Sequence, residues 1–199
     1  NYQAGLVYHL TEDLAVHATY SHTSRMPTLK DRFSYKNGKA IPNAALDAEE
    51  SDNYELGLQG KPCEWLDVET AVFYHDIDNM IQSINVAANT TQMQNIGKVQ
   101  VFGWEVGGKA TLSDSLALGG GYTLLHRNNR TDAQKLTDVP NHHAALYLSW
   151  FPVSSLEIRP SLHAQTDTYS STTGSQKTDG FMTVDLALAL WAIVDGLPR

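Results

Sequence analysis

The side chains of this sequence best suited to chemistry are its histidines. Imidazole is a transition-metal ligand, so histidines that meet in space could hold iron or haem. Five of the eight lie on the polar side of segments in which apolar and polar residues alternate: His9, His17, His75, His143 and His163. They share no i, i+2 or i, i+4 spacing, so no segment places two of them to chelate an ion. We interpret them as polar residues of one sheet face and predict no metal site.

Other reactive patterns are incomplete. Residues 76–79 (DIDN) resemble half of a calcium loop, but the glycine and the distal glutamate of the twelve-residue ligand set are missing. Cys63 has no partner cysteine and no metal-ligand spacing. There is no Gly-x-Ser-x-Gly, HExxH or Walker motif and no Cys–His pair. We therefore predict no catalytic residues and no cofactor, and the chain is not expected to be an enzyme.

Composition narrows the possible classes of protein. The 199 residues are 42% hydrophobic and 18% charged, and no run approaches the roughly 20 apolar residues of a membrane helix. A transmembrane barrel stays open, because only every second residue of its strands must be apolar. The net charge of -8 argues against nucleic acid as a partner. The first residues, NYQAGLVYHL, lack the basic region and cleavage site of a signal peptide. If the protein is exported, we expect its signal to lie outside this sequence.

The elements that must position these side chains are strands. In residues 66–76 (LDVETAVFYHD), Leu66, Val68 and Val72 alternate with polar residues, as expected for a strand with one apolar face. Eight more segments alternate in the same way: 2–10, 14–21, 53–59, 102–107, 116–124, 143–150, 156–163 and 182–190. No convincing amphipathic helix is present. The sequence predicts about nine strands.

The lengths of the connections indicate how these strands are arranged. Short turns at 11–13, 61–64, 113–115, 152–155 and 194–196 alternate with long polar connections at about 23–52, 78–95, 127–141 and 167–179. Short turns at one end and long loops at the other are typical of outer-membrane barrels, whereas compact soluble domains seldom carry several long loops without secondary structure.

Aromatic residues also gather near the short turns, where a membrane-interface girdle would lie: Trp65, Trp150, Phe151 and Trp191. We predict an all-β, antiparallel, up-and-down transmembrane β-barrel, here a partial barrel of about nine strands. Its lipid-facing residues should include Leu56, Val72, Leu146, Ile158 and Leu186. The alternative is a soluble β-sandwich or lipocalin-like barrel, whose strands also alternate.

Several stretches resemble the C-terminal half of a TonB-dependent outer-membrane receptor. Residues 20–33 (YSHTSRMPTLKDRF) resemble the family's strand that ends in Arg-x-Pro-x-Leu. Residues 41–61 (IPNAALDAEESDNYELGLQGK) are similar to its Asn-Pro-Asn-Leu and Tyr-Glu-Leu-Gly region. Further stretches match in type and order: 71–82, 94–112, 116–129, 139–150 and 178–189.

The resemblance implies an importer in the outer membrane of a Gram-negative bacterium. Family members have a 22-stranded barrel, an N-terminal plug and a supply of energy from the TonB complex. Residues 1–199 resemble part of the barrel only, with no plug, no TonB box and no aromatic-terminated last strand. We therefore expect a segment of a larger barrel that does not transport alone and that reaches the TonB complex through a plug outside this sequence.

The resemblance also directs attention to the long loops as the ligand-binding surface. Cations and aromatic side chains suit an anionic, aromatic-rich ferric siderophore. The candidates are Arg25, Arg32, Tyr35, Lys36, His126, Arg127 and Arg130. Cobalamin and haem are the next cargoes considered. The resemblance disfavours haem, because haem receptors of the family typically place a histidine between the Arg-x-Pro and Asn-Pro-Asn-Leu stretches and residues 28–42 contain none. Two other functions stay open, namely a passive outer-membrane pore and a soluble barrel that binds a small ligand.

Overall fold

A computed structural model of the chain describes residues 1–131 and 134–191, and almost all of its regular structure is β-strand. The strands are β1 (Tyr2–His9), β2 (Leu14–Arg25), β3 (Ala40–Ile41), β4 (Glu49–Cys63), β5 (Leu66–Asp78), β6 (Ile81–Ala87), β7 (Thr90–Asn95), β8 (Val99–Ser113), β9 (Leu116–Asn129), β10 (His142–Val153), β11 (Leu156–Gln165), β12 (Thr168–Tyr169), β13 (Lys177–Thr178) and β14 (Phe181–Leu190). One short helix, α1 (Leu29–Phe33), and a 3₁₀ turn (Lys36–Gly38) follow β2. No helix among the described residues is long and apolar enough to cross a membrane.

Nine strands form one sheet in the order β1-β2-β4-β5-β8-β9-β10-β11-β14. Every neighbouring pair in it is antiparallel, and the order follows the chain. The predicted partial barrel of about nine antiparallel, up-and-down strands is confirmed. Within the described residues β1 and β14 each have a single neighbour, so the sheet is an unclosed part of a barrel.

The register places the apolar residues in rows across the outer face. Leu56 lies opposite Val72, and Val72 lies opposite Trp104 on the next strand. Leu56, Leu146 and Leu186 expose 53%, 50% and 65% of their surface, so nothing among the described residues covers them. Val72 is also exposed and Ile158 is half-buried in the same parity. These five residues face outward as predicted.

The inner face is mostly polar, and several of its large side chains lie along the wall over glycines of the neighbouring strand. Direct cross-strand partners repeatedly combine a large side chain with a glycine: His17 with Gly57, Phe73 with Gly103, Glu69 with Gly107, and Tyr147 with Gly119. A Cβ at any of these glycines would collide with its partner's side chain, so each large side chain lies over the glycine along the wall. The concave side forms an open groove of about 1090 Å³.

The long connections are folded, which corrects the expectation of irregular loops. Residues 81–95 form the hairpin β6–β7, and β3 of the preceding connection pairs with β7 in parallel. A second small hairpin, β12–β13, occupies the last connection. The strands also reach further than the alternation predicted, since β2 ends at Arg25 and β9 ends at Asn129. The turn predicted at 194–196 lies outside the described residues.

An apolar core holds these connections over the inner face. It comprises Ile84, Ile96, Val99, Val101 and Leu136, with Phe73, Ile77, Met80 and Leu125 packed against it. Phe73, Ile77, Val99, Val101 and Leu125 belong to the inward parity, where polar residues were predicted. They are apolar because the connections between β5 and β8 and between β9 and β10 fold onto them and exclude water.

Candidate functional site

The outer face carries an aromatic belt near the long connections that the sequence analysis missed. Its members contact one another across neighbouring strands: Tyr2–Tyr20 at 5.9 Å between ring centroids, Tyr20–Tyr54 at 5.0 Å, Tyr54–Tyr74 at 6.4 Å and Trp104–Tyr122 at 5.8 Å. Tyr20 donates a hydrogen bond of 2.8 Å to Asp52 in the next, polar row. An apolar ring with a polar tip suits a membrane interface. The belt marks the second boundary of the apolar band.

The spacing of the two belts fits a bilayer. Trp65 and Tyr74 are nine residues apart along β5 and the turn before it, or about 30 Å at the usual rise of a strand. At the tilt typical of membrane barrels this corresponds to about 21–25 Å of height, against an apolar band of about 25 Å. Phe151 and Trp191, however, stack on each other at 6.4 Å and have the parity opposite to Trp150 and Leu190. Of the four predicted girdle residues, Trp150 has the outward parity, and Trp65 lies exposed in the turn before β5.

Four of the seven predicted ligand residues do not face the space between the long connections as free side chains. They are Arg25, Arg32, Arg127 and His126. Arg25 lies on the inner face and pairs with Asp31 at 3.5 Å and Glu49 at 3.3 Å. Glu49 also accepts a hydrogen bond of 2.9 Å from the backbone N–H of Ile81. Arg25 therefore ties α1 to β4 and, through Glu49, to the start of β6, and its charge is neutralised.

Arg32 and Arg127 donate hydrogen bonds to backbone carbonyl groups of the connections. Arg32 donates to the Leu46 carbonyl oxygen at 3.0 Å. Arg127, on the inner face of β9, donates to the carbonyls of Leu136, Thr137 and Val139. These hydrogen bonds offset part of the cost of burying the two guanidinium groups, whose Nε atoms have no hydrogen-bond partner within the described residues. Both arginines hold loop backbone, and the prediction that they contact ligand finds no support in their geometry.

His126 was placed in a loop by the sequence analysis, and this placement is wrong. It belongs to β9, lies directly opposite Phe102 and shares the outward parity of Leu124. Its neighbours are the aromatic belt, so it faces the membrane boundary and not the space between the loops. The strand is longer than predicted because β8 and β9 remain hydrogen-bonded up to Val99 and Asn129.

Tyr35, Lys36 and Arg130 remain exposed and available. Tyr35 precedes a run of left-handed backbone, with φ of 43° at Lys36, 55° at Asn37 and 87° at Gly38. Left-handed backbone is costly for residues other than glycine, and it recurs at ligand-binding positions. Lys30 and Lys39 are also exposed in this connection, and no ion pair involves either of them within the described residues.

A second cation–aromatic group was missed because it joins two connections. The ammonium groups of Lys135 and Lys177 lie 5.6 Å and 4.7 Å from the centre of the Tyr169 ring. The backbone N–H of Lys135 donates to the Thr172 carbonyl at 2.8 Å. Lys177 donates to Asp167, and this hydrogen bond lowers the pKa of the Asp167 carboxyl below its usual value. Alternation within one segment cannot reveal such a contact.

Side-chain amides link the connections to one another. Asn43 donates to the Met93 carbonyl at 2.9 Å, and Asn95 exchanges hydrogen bonds with the backbone of Asp47. Gln82 donates to the Lys135 carbonyl at 3.0 Å. The first three connections therefore form one continuous structure above the membrane, and Lys135 continues it to the fourth.

The five inward histidines are spread along the wall. His17 lies 3.1 Å from Glu55, and His75 is packed against Phe73 with 5.0 Å between ring centroids. Within the described part of the chain no three His, Cys, Asp or Glu side chains come close enough to hold a metal ion. The geometry is that of a polar wall.

The fold and the two belts define the wall of a membrane barrel, and comparison with known proteins identifies its family. Residues 1–195 match the family model described as "TonB dependent receptor-like, beta-barrel". The chain belongs to this family, whose members are outer-membrane β-barrels that act as transport receptors.

Two curated relatives share 28% identity with the chain. One is an uncharacterized TonB-dependent receptor of Haemophilus influenzae, aligned over 156 residues that cover 75% of this chain and 42% of that protein. The other is PiuA of Acinetobacter baumannii, a probable TonB-dependent siderophore receptor, aligned over 127 residues that cover 62% of this chain and 16% of that protein. The chain thus spans less than half the length of either relative.

Solved structures share the fold. The crystal structure of PiuA superposes with a TM-score of 0.72 at 19% identity, over 94% of this chain and 28% of that one. The copper transporter OprC superposes with a TM-score of 0.80 at 16% identity, over 97% of this chain and 31% of that one.

Proposed function

We propose that the chain is part of an outer-membrane receptor that imports a ferric siderophore with energy from the TonB complex. The observation that carries this proposal is the group of exposed cations beside an exposed aromatic ring in the first long connection, at Tyr35, Lys36 and Lys39. Cations bind anionic iron complexes through charge pairing, and aromatic rings add contact area. The relative PiuA supports the same cargo.

The proposal extends to what must surround residues 1–199. In a bilayer the free edges of β1 and β14 would leave backbone N–H and C=O groups without partners, which costs several kcal/mol for each group. We propose that further strands of the receptor pair with both edges and that a plug outside these residues contacts the TonB complex. The role is transport, without a catalytic step.

Iron uptake by cells tests the function directly. A strain that relies on the full receptor should take up radiolabelled ferric siderophore, and uptake should cease when the receptor gene or the TonB complex is removed. Uptake that persists without the TonB complex would favour a passive pore. Binding of cobalamin or haem, with no ferric siderophore bound or taken up, would contradict the proposed cargo.

A further inference from the structure

The connection after β2 exposes an unusual group of large apolar side chains. Met26, Leu29, Phe33 and Tyr35 expose 74%, 79%, 55% and 65% of their surface, and we call them the α1 ledge. Leu29 and Phe33 are four residues apart in α1 and therefore neighbours on one side of the helix. Large apolar side chains exposed together in one connection are a feature of interaction and ligand-binding surfaces.

The ledge is presented by a helix whose opposite side is fixed. Asp31 pairs with Arg25 and completes a capping box with Thr28, accepting the Thr28 N–H at 2.9 Å. At 3.6 residues per turn, Leu29 and Phe33 each lie about 200° around the helix from Asp31. The apolar side chains therefore point away from the contacts that hold the helix, so the ledge is preformed.

Positive charge borders the ledge. Residues 26–48 contain the cations Lys30, Arg32, Lys36 and Lys39 against only two carboxylates, in a protein whose net charge is -8. Arg32 is engaged with the Leu46 carbonyl, while the three lysines are exposed and belong to no ion pair within the described residues. Apolar, aromatic and cationic surface thus lie side by side.

We propose that the α1 ledge binds the aromatic rings of a ferric tris-catecholate complex, with Lys30, Lys36 and Lys39 facing its negative charge. This inference rests on the proposed import of a ferric siderophore and names the chemical class of that siderophore. A tris-catecholate complex of iron(III) is anionic and presents three aromatic rings. A tris-hydroxamate complex is neutral and largely aliphatic, so it would use neither the lysines nor the rings.

Equilibrium binding to the full receptor in detergent tests the class. The probes are a synthetic ferric tris-catecholate, a ferric tris-hydroxamate and haem. The double variant L29S/F33S should bind the tris-catecholate about tenfold to a hundredfold more weakly, because burying Leu and Phe side chains drives binding. The double variant K36Q/K39Q should bind it more weakly at low salt and lose most of the salt dependence. Leu10→Ser, at an exposed residue of the short turn between β1 and β2 at the opposite end of the sheet, serves as the control and should stay within about twofold of wild type.

The outcomes separate this inference from the proposed function. Tighter binding of the tris-hydroxamate or haem, or unchanged tris-catecholate binding by both double variants, overturns the ledge as the binding surface and leaves import of another ferric complex intact. A receptor that binds none of the three probes and supports no iron uptake refutes the proposed function itself. Both double variants change exposed side chains, and retained heat-modifiable migration on gels verifies that their barrels are folded.

Discussion

Asn95 and Asp47 are joined by two hydrogen bonds that run in opposite directions. The Asn95 side chain accepts from the Asp47 N–H at 3.0 Å and donates to the Asp47 carbonyl at 3.2 Å. It also donates to the Asn79 carbonyl at 2.7 Å. The Asn95 side-chain amide therefore pairs with both backbone groups of Asp47, as a residue of a neighbouring strand would. It joins the first long connection to the second.

Asn95→Ala should separate these two connections. Each lost hydrogen bond contributes about 0.5–1.5 kcal/mol, and the backbone groups of Asp47 lose their partners. We expect amide hydrogen exchange of the full receptor to accelerate at residues 40–48 while the barrel strands keep their protection. Asn85→Ala is the matched control, because Asn85 is exposed on β6. Equal acceleration in both variants would contradict the role of Asn95.

Gly103→Ala should destabilise the barrel wall. A Cβ at Gly103 would collide with the Phe73 ring, which is packed against the apolar core under the connections. Overpacking of this kind costs about 1–3 kcal/mol. Gly121→Ala, on the same inner face, should be nearly neutral because its Cβ would meet only a carbonyl oxygen at 3.5 Å. Denaturant unfolding of the full receptor measures both, and equal stability of the two variants would refute the prediction.

Leu146→Arg places a charge in the middle of the outer face. Leu146 is half exposed and lies opposite Leu162, within the apolar band. An arginine there should cost about 2–4 kcal/mol in a bilayer, whereas Val153→Arg near the short turn should cost about 0–1 kcal/mol. Refolding of the full receptor into lipid vesicles gives both values. A neutral effect of Leu146→Arg would argue against the lipid-facing assignment.

The capping box of α1 predicts a dependence on pH. The hydrogen bond from the Thr28 N–H holds the pKa of the Asp31 carboxyl below its usual range, and the Arg25 charge acts in the same direction. A carboxyl whose pKa is lowered by folding stabilises fully above its unfolded pKa, and the stabilisation disappears as the pH falls through the folded pKa. Amide exchange at residues 28–34 should therefore be constant from pH 7 to about 5, after correction for the intrinsic exchange rate, and increase only below pH 4. Asp31→Asn should remove this pH dependence, and Thr28→Ala should cost α1 about 1 kcal/mol.

Proteolysis of intact cells tests the orientation of the barrel. The exposed turn at Lys36 and Lys39 should be open to trypsin from outside, because long loops of such barrels are extracellular. Lys61, which is exposed next to a short turn, should be cut only in broken cells. Cutting at Lys61 alone in intact cells would show that the short turns, and not the long connections, face the outside.

Alternation predicted the sheet because it is a local property. Leu56 and Val72 follow the strand period, and their pairing needed only strand order and short turns. Val99 and Val101 depart from this alternation, since valines on the polar face indicate that another part of the chain covers them. The sequence does not show that the residues covering them, Ile84 and Leu136, come from two different connections. The sequence Thr-Leu-Lys-Asp at 28–31 is a helix-start signal that was overlooked.

The candidate site was harder to predict because the sequence shows which residues are charged but not which groups they contact. Arg127 and Lys36 look alike in a polar stretch, yet one is held by three carbonyl groups and the other is exposed. The burial of Arg127 depends on how residues 136–139 fold back over β9. His126 could be assigned to the outer face only once β9 was known to include it. Neighbouring residues of a strand point to opposite faces, so the extent of the strand decides where each side chain lies.

The glycine partners on the inner face limit how far this part of the wall projects inward. His17, Phe73, Glu69 and Tyr147 lie along the wall because glycine leaves them room, so they project less into the interior than side chains that stand upright. Replacing Gly57, Gly107 or Gly119 would push the partner side chain inward and narrow the space along the wall at that level alone. Phe73 has no such freedom because it is packed against the apolar core, so the same replacement at Gly103 costs stability instead.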